Sequence, residues 1–480
     1  MKPNIILVVA DDLDARSFAQ MPYLNGLLHQ QGVDFSRFYV TTPICCPSRA
    51  SILRGQYAHN HGVLRNNGER GGFHTFHLEG REQSTLATWL QGAGYRTGLV
   101  GKYLNGYPRL PRRLTDATLP AEHVPPGWDE WYAQMGRGAT GGPAFQLNEN
   151  GRIVAYDERP EHYTTDVLAH HASSFVERAI AAGSPFFLYV GTLVPHYPAL
   201  PALRHMSAFP DAQAPRPPSF DEPDTSDKPA YLRDAPRLTP DQIRAIDAHH
   251  AERLRSLLSL DELIAGLMEA LSAGGAAGQT FLFVTSDHGW HQGEHRLPFG
   301  KETPYEEAIR GPLGVLGPGV LAGGTVDALA LNIDLAPTIA DLAGASVPDF
   351  VDGRSLAPML FGPAPTAWRC SFLVEQAAAE KTRTYPALGS MPAVPSYQAL
   401  RSNDSAGDLL YVEYETGERE LYDLGADPHQ LVNGGTGAAE TTLRRLSTRL
   451  DELRHCAGSV CRAVEDAPLD QLIRASAGPA

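Results

Sequence analysis

Four uninterrupted apolar runs, Ile5 to Val9, Thr97 to Val100, Phe186 to Val190 and Phe281 to Thr285, recur along the chain with helix-length segments between them. A strand with one wet face alternates polar and apolar residues, whereas a strand covered on both faces reads as continuous apolar sequence. The runs therefore predict an α/β fold, a large mostly parallel sheet sandwiched by helices. Thr164 to Ile180 carries Val167, Leu168, His171, Phe175 and Val176 at helical spacing, and Pro240 to Leu271 carries Leu254, Leu257, Leu258, Leu260, Leu263 and Ile264, so both read as amphipathic helices. The second has a start signal: Thr239 as N-cap, Pro240 at the first helical position and Gln242 three residues after the cap.

The pattern changes near residue 365. Phe372 to Glu375, Tyr397 to Arg401, Leu409 to Tyr414 and Glu420 to Leu424 read as short strands, with a hairpin turn at Tyr414-Glu-Thr-Gly417 and a helix from about Ala438 to Arg454. The expected organisation is one large domain over 1–365, a small antiparallel sheet with a helix over 366–465, and a loosely held tail over 466–480. Pro198 to Leu238, rich in Pro, Asp and Ser, reads as a long surface excursion.

Forty Lys plus Arg against 55 Asp plus Glu give 480 residues a net charge of -15, which repels polyanions at long range and argues against a nucleic-acid partner. No run reaches the roughly 18 apolar residues of a membrane span. Met1-Lys2-Pro3 followed by Asn4 to Ala10 superficially resembles a signal peptide, but it is short, lacks a small-residue cleavage pattern and runs into Asp11-Asp12. It reads as a buried strand. The expected location is cytoplasmic, or periplasmic or secreted if a leader has been removed. Five cysteines, at 45, 46, 370, 456 and 461, are too few for a disulfide scaffold and odd in number.

Asp11-Asp12 follow the first predicted strand, and Ser286-Asp287-His288-Gly289 follow the last of the four apolar runs. Open parallel sheets gather ligand sites at the carboxyl ends of their strands. Adjacent carboxylates repel unless a cation or shared proton intervenes. Asp11-Asp12 alone reads equally well as a capped turn, and His288 alone reads as a capping or core histidine; together they point to one divalent ion, with oxygen-rich ligands favouring Ca²⁺, Mg²⁺ or Mn²⁺.

The most specific stretch is Cys45-Cys46-Pro47-Ser48-Arg49-Ala-Ser-Ile-Leu53-Arg-Gly55. It resembles the signature of the formylglycine-dependent sulfatases, and the likeness continues through Gly101-Lys102-Tyr-Leu-Asn105, Pro195-His196, Lys301 to Arg310 and Leu421-Tyr-Asp-Leu424. The pattern is most similar to the N-acetylglucosamine-6-sulfatase branch, through His59-Asn-His61, Asn66-Asn67, His123-Val-Pro with Gly127-Trp128, and Cys456 with Cys461-Arg462.

That resemblance implies an alkaline phosphatase-like fold and a sulfatase acting on an aryl sulfate or a 6-sulfated N-acetylglucosamine. Cys45 would be oxidised to formylglycine by a maturation enzyme. One hydroxyl of the hydrated aldehyde attacks sulfur and expels the alcohol; the other loses its proton and drives sulfate out. Asp11, Asp12, Asp287, His288 and the modified Cys45 would hold the divalent ion, Ca²⁺ by preference, which activates the attacking hydroxyl. Arg49, Lys102 and Lys301 would surround the sulfate, with His196 and Lys301 as acids toward the leaving oxygen. His59, His61, Asn66 and Asn67 are candidates for sugar contact, and His291 and His295 weaker ones.

Two positions depart from the related patterns. Leu104 stands where arylsulfatases commonly carry His, and His288 where the glucosamine branch tends to carry Asn, which gives Mn²⁺ or Mg²⁺ more weight. His288 also resembles the arrangement of phosphonate monoester and phosphodiester hydrolases on the same scaffold, the alternative activity. A catalytically silent carbohydrate-binding relative with an unconverted Cys45 is a further reading. The resemblance also implies a Cys456–Cys461 pair, which would point to an oxidising compartment. The acidic surface favours small or terminally sulfated substrates over internal sites on a polymer.

Overall fold

The computed structural model describes residues 2–109, 119–136, 144–378 and 382–469. The four apolar runs become adjacent parallel strands, in spatial order Thr280–Ser286, Asn4–Ala10, Phe186–Gly191 and Arg96–Gly101. Burial on both faces explains their composition. Ile6 and Val8 of Asn4–Ala10 join one hydrophobic core, with Leu168, Phe175, Leu260 and Ile264 of the two long helices. Ile5, Leu7 and Val9 join a second core on the opposite face, with Ile52, Leu86 and Ile339.

The sheet has ten strands among the described residues. Glu130–Gln134 extends it in parallel, Leu313–Leu316 and Phe145–Glu149 run antiparallel, and Arg152–Tyr156 pairs antiparallel with Phe145–Glu149 at the edge. These strands are short or half-exposed, so they lack the long apolar signal of the centre. The long helices span Thr164–Ala181 and Pro240–Ala273. The second opens on a reciprocal cap: Gln242 donates its N–H to the Thr239 hydroxyl, and the Gln242 side chain accepts the Thr239 N–H at 3.0 Å.

Ser371–Gln376, Tyr397–Asp404, Gly407–Tyr414 and Arg419–Asp423 form the antiparallel C-terminal sheet, followed by the helix Glu440–Arg454. The turn after Tyr414 closes with Gly417 at φ 85°, a conformation open to glycine. In this part the hairpin Arg383–Tyr385/Gly389–Met391 and the helix Ser459–Asp466 have no counterpart in the sequence reading. Cys456 and Cys461 are joined by a disulfide at the start of that helix.

The core of the small sheet is continuous with the large unit, because Phe372, Tyr411 and Tyr422 pack in one cluster with Tyr39, Tyr57 and Tyr305. Polar contacts reinforce the join: buried Arg369 grips both carboxylate oxygens of Asp334 at 2.7 and 2.8 Å and Glu465 at 2.8 Å. The chain stays packed as far as Leu469, whose N–H donates to Asp404; the rest of the expected tail lies outside the described residues. The excursion after Pro198 contains the short turns Leu203–His205 and Ala230–Arg233. Among the described residues no helix is long and apolar enough to cross a membrane.

Candidate active site

The parallel register pairs Ala10 with Ser286, and Gly191 with both Val9 and Gly101, so the carboxyl ends of the four central strands lie side by side. The next residues, Asp11, Asp287 and Lys102, are delivered to one place, and His196 arrives from the loop after Gly191. The strands approach closely here. A Cβ at Gly101, which sits at φ 100°, would lie 2.0 Å from the Gly191 carbonyl oxygen. Asp12 adopts the left-handed region, φ 64°, with its N–H given to Asp287 Oδ1 at 3.1 Å; aspartate is among the few side chains at ease there.

The other half of the site comes from the helix Cys45–Arg54, which is buried at every position. Ile44 precedes it and offers no side-chain cap, but Asn66 Oδ1 accepts the Cys46 N–H at 2.7 Å. Cys45 and Arg49 are four residues apart and therefore share a face. The Cys45 Sγ lies 3.5 Å from Asp11 Oδ1, 3.4 Å from His288 Nε2 and 2.9 Å from Lys301 Nζ. Lys301 also reaches Asp12 Oδ1 at 2.5 Å, and Lys102 reaches Asp11 Oδ2 at 2.6 Å.

Burial alone would raise the Asp11 and Asp12 carboxyls, but Lys102 beside one and Lys301 beside the other hold both well below the usual carboxylate range. Burial pushes the Cys45 thiol up, with Asp11 and Asp287 adding to the effect against Lys102 and Lys301. An unmodified thiol here is disfavoured as a thiolate nucleophile.

The donors fit a cation. One ligand atom from each of Asp11, Asp12, Cys45 and His288 lies within 4.8 Å of the others. Nδ1 of His288 donates to the Gly289 carbonyl at 2.9 Å, while Nε2 faces Asp12 Oδ1 at 3.2 Å. Burial, then Lys301, lowers the imidazole's pKa and favours the neutral ring, so an Nε2 lone pair points at a carboxylate oxygen. A cation between them relieves that repulsion. Asp12 Oδ2 is buried without a hydrogen-bond partner. Asp287 stands at the edge of the group, its Oδ1 3.4 Å from His288 Nε2 and its Oδ2 held by Arg49.

The remaining sequence candidates separate. Arg49 is fully enclosed: Nε donates to Asp287 at 2.8 Å, and Nη1 reaches the Lys102 carbonyl and the Tyr189 hydroxyl. It braces the site from beneath. His196 is partly exposed at the mouth, with Nδ1 2.7 Å from the Tyr197 carbonyl and Nε2 3.7 Å from Asp12 Oδ2. His61 is buried, its ring nitrogens taken by Ser51 Oγ and the Val63 N–H, and His59 is held by Glu375 and the Cys456 carbonyl. Both histidines are thus engaged within the protein, Asn66 gives its amide oxygen to the Cys45 helix and is half-buried, and Asn67 is exposed. His291 bonds Thr303 and His295 bonds Glu222, both within the buried interior.

The sequence reading missed the hairpin that carries Arg383 and Tyr385. Tyr385 stacks on Tyr197, next to His196, at 3.8 Å and on Phe299 at 4.4 Å. Arg383 Nη2 pairs with Glu302, the neighbour of Lys301, at 3.2 Å, while Nη1 is buried without a partner. Three-residue strands are too short for periodicity to reveal; the Pro386 to Gly389 turn between them was the available signal.

The chain also matches known proteins. A sulfatase family model matches residues 3–345, and a model of the C-terminal part of N-sulphoglucosamine sulphohydrolase matches residues 293–456. The chain is similar to N-acetylglucosamine-6-sulfatase of Capra hircus, 35% identical over 484 residues that span 96% of this chain and 85% of that protein. It also resembles a solved structure described as a complex with its substrate D-glucosamine-2-N,6-O-disulfate, with TM-score 0.72, 25% identity and coverage of 94% of this chain and 97% of the other. A phosphonate monoester hydrolase from Silicibacter pomeroyi follows the same fold, with TM-score 0.70, 25% identity and coverage of 95% and 96%. The matched segments take in the strand ends, the Cys45 helix and the C-terminal sheet together, and the chain belongs to the sulfatase family, hydrolases of sulfate esters.

Proposed function

We propose that this sulfatase acts on a 6-sulfated N-acetylglucosamine or a similarly small sulfate monoester, through a formylglycine derived from Cys45. The observation that carries the reading is the position of Cys45, at the head of a buried helix between Asp11, His288 and Lys301. Its Sγ marks where a hydroxyl of the hydrated aldehyde would stand. Asp11, Asp12, Asp287 and His288, with residue 45, would hold a divalent ion, Ca²⁺ by preference. When bound, such an ion lowers the pKa of the attacking hydroxyl and neutralises charge on sulfate.

Lys301 donates to the position of the attacking oxygen, and Lys102, with 12% of its side chain exposed, faces the open side where sulfate enters. Arg49 acts through Asp287, holding that carboxylate rather than touching sulfate. His196 stands at the mouth with its Nδ1–H tied to the Tyr197 carbonyl, which leaves Nε2 to carry a proton to the departing alcohol. One hydroxyl of residue 45 then bonds sulfur as the alcohol leaves; loss of the second hydroxyl's proton expels sulfate and restores the aldehyde. Conversion of Cys45 requires a maturation enzyme, and the Cys456–Cys461 disulfide supports an oxidising compartment.

The Asp287-His288 pair and the likeness to a phosphonate monoester hydrolase favour phosphodiesters as the second substrate class. The test is release of sulfate from N-acetylglucosamine 6-sulfate beside a phosphodiester and a phosphonate monoester, using protein co-expressed with a maturation enzyme. Sulfate release that vanishes in Cys45→Ala supports the proposal. Equal turnover in that variant, or faster phosphodiester than sulfate turnover, overturns it, and an intact thiol mass at Cys45 in active protein removes the aldehyde route.

A further inference from the structure

A second group of metal-type donors lies outside the chemistry described above. His77 lies in the last turn of the helix Gly72–Leu78, Glu82 sits in the turn Arg81–Gln83, and His123 lies in the segment before Trp128. Their three ligand atoms lie within 4.8 Å of one another. His77 Nδ1 is 2.5 Å from Glu82 Oε2, and His123 Nε2 is 3.2 Å from the same oxygen.

The surroundings hold these groups ready. Glu82 is 2% exposed, and among the described residues its ion-pair partners are these two imidazoles, with no Arg or Lys. A buried carboxylate needs compensating charge, and imidazole supplies it only when protonated. Phe73 packs against both rings, 5.5 Å from His77 and 6.0 Å from His123. The His123 carbonyl is fixed by the Tyr107 hydroxyl and by Asn148 Nδ2 at 3.1 Å. Backbone and ring are thus both positioned before any ligand arrives.

We propose that His77 Nδ1, Glu82 and His123 Nε2 form a second metal site, of the class that binds Zn²⁺, with water in the fourth position. Two imidazoles and a carboxylate are a zinc-type donor set, unlike the oxygen-rich group at Asp11 and Asp12. Tetrahedral donors about 2.0–2.1 Å from zinc lie about 3.3 Å from one another. The His123–Glu82 spacing already matches, and the His77–Glu82 contact opens as zinc displaces its bridging hydrogen to solvent. The ion ties together three segments behind the catalytic helix. Phe73, one turn before His77, donates its N–H to Asn105 O at 2.8 Å, and Gly72 abuts the carbonyl of Asn66, the residue that caps the Cys45 helix.

The full chain, saturated with Ca²⁺, is dialysed against Zn²⁺ and the bound zinc counted, with Co²⁺ absorption as a report of tetrahedral geometry. Wild type is expected to bind one zinc more than His77→Gln/His123→Gln, and Glu82→Gln to bind it at least about tenfold more weakly. Sulfate-ester turnover is expected to survive in both variants, which certifies their fold. Equal zinc in wild type and the double variant overturns the site. X-ray absorption of zinc-loaded wild type gives a check that needs no variant: two imidazoles and one carboxylate are expected, and a shell without imidazole refutes the assignment.

Discussion

Lys301→Met isolates the part of the site that charge balance controls. Lys301 Nζ lies 2.5 Å from Asp12 Oδ1 and 2.9 Å from Cys45 Sγ, and both Lys301 and Asp12 are buried. At an effective dielectric near 20, opposite charges at that separation attract by about 7 kcal/mol before desolvation is counted. Deleting one member of such a buried pair costs about 3–5 kcal/mol, because the other charge stays behind unpaired. Met retains the apolar stem, so packing changes little. In chelator-treated protein, urea unfolding should therefore show a loss of about 3–5 kcal/mol. In Ca²⁺-saturated protein the ion takes over the charge of Asp12, and the loss should shrink by more than half. Turnover should behave in the opposite sense, falling about 10²–10³-fold in the Ca²⁺-saturated enzyme, where a donor to the reacting oxygen is missing. A metal-free variant within about 1 kcal/mol of wild type would refute the charge-balance reasoning. Turnover within about threefold would refute contact with the reacting group.

Chelation should abolish sulfate release, and Ca²⁺ should restore it; activity that survives exhaustive chelation contradicts a metal held by Asp11, Asp12 and His288. Burial disfavours the His59 imidazolium, but Glu375 at 2.9 Å prevails and holds the ring up to about 9. That stabilisation is complete below the unfolded value of about 6.5 and is lost as pH rises through about 9, an effect of order 2 kcal/mol; His59→Gln should flatten the unfolding free energy over that range. Removing the Cys456–Cys461 bridge by Cys456→Ser/Cys461→Ser should cost about 2 kcal/mol from the short loop alone, read by urea titration.

The central sheet was legible because each strand buries two faces, leaving no polar residue to interrupt the run. The same feature made Asp11, Asp12, Asp287 and His288 conspicuous, since each follows such a run at the end where the sheet opens. Arg49 was legible as part of the site but not in its posture: spacing places it on the Cys45 face, while only the fold shows its guanidinium spent on Asp287, Tyr189 and backbone carbonyls. Asn66 illustrates the converse. A polar residue in a loop reads as surface chemistry, yet its amide oxygen closes the first turn of a helix whose preceding residue, Ile44, cannot cap itself. Arg383 and Tyr385 reach the site across a long sequence separation on strands of three residues, and neither periodicity nor motif spacing records that kind of proximity.

Cys45 is only 1% exposed, and its neighbours Cys46, Pro47 and Ser48 are equally enclosed. These residues are wound into the first turn of a helix that is buried at every position and ends on Gly55 in the left-handed region. On the proposed formylglycine route, a modifying enzyme would therefore have to reach Cys45 before this helix is buried. A chain folded before that encounter would keep its thiol, and modifying enzyme supplied afterwards would not convert it.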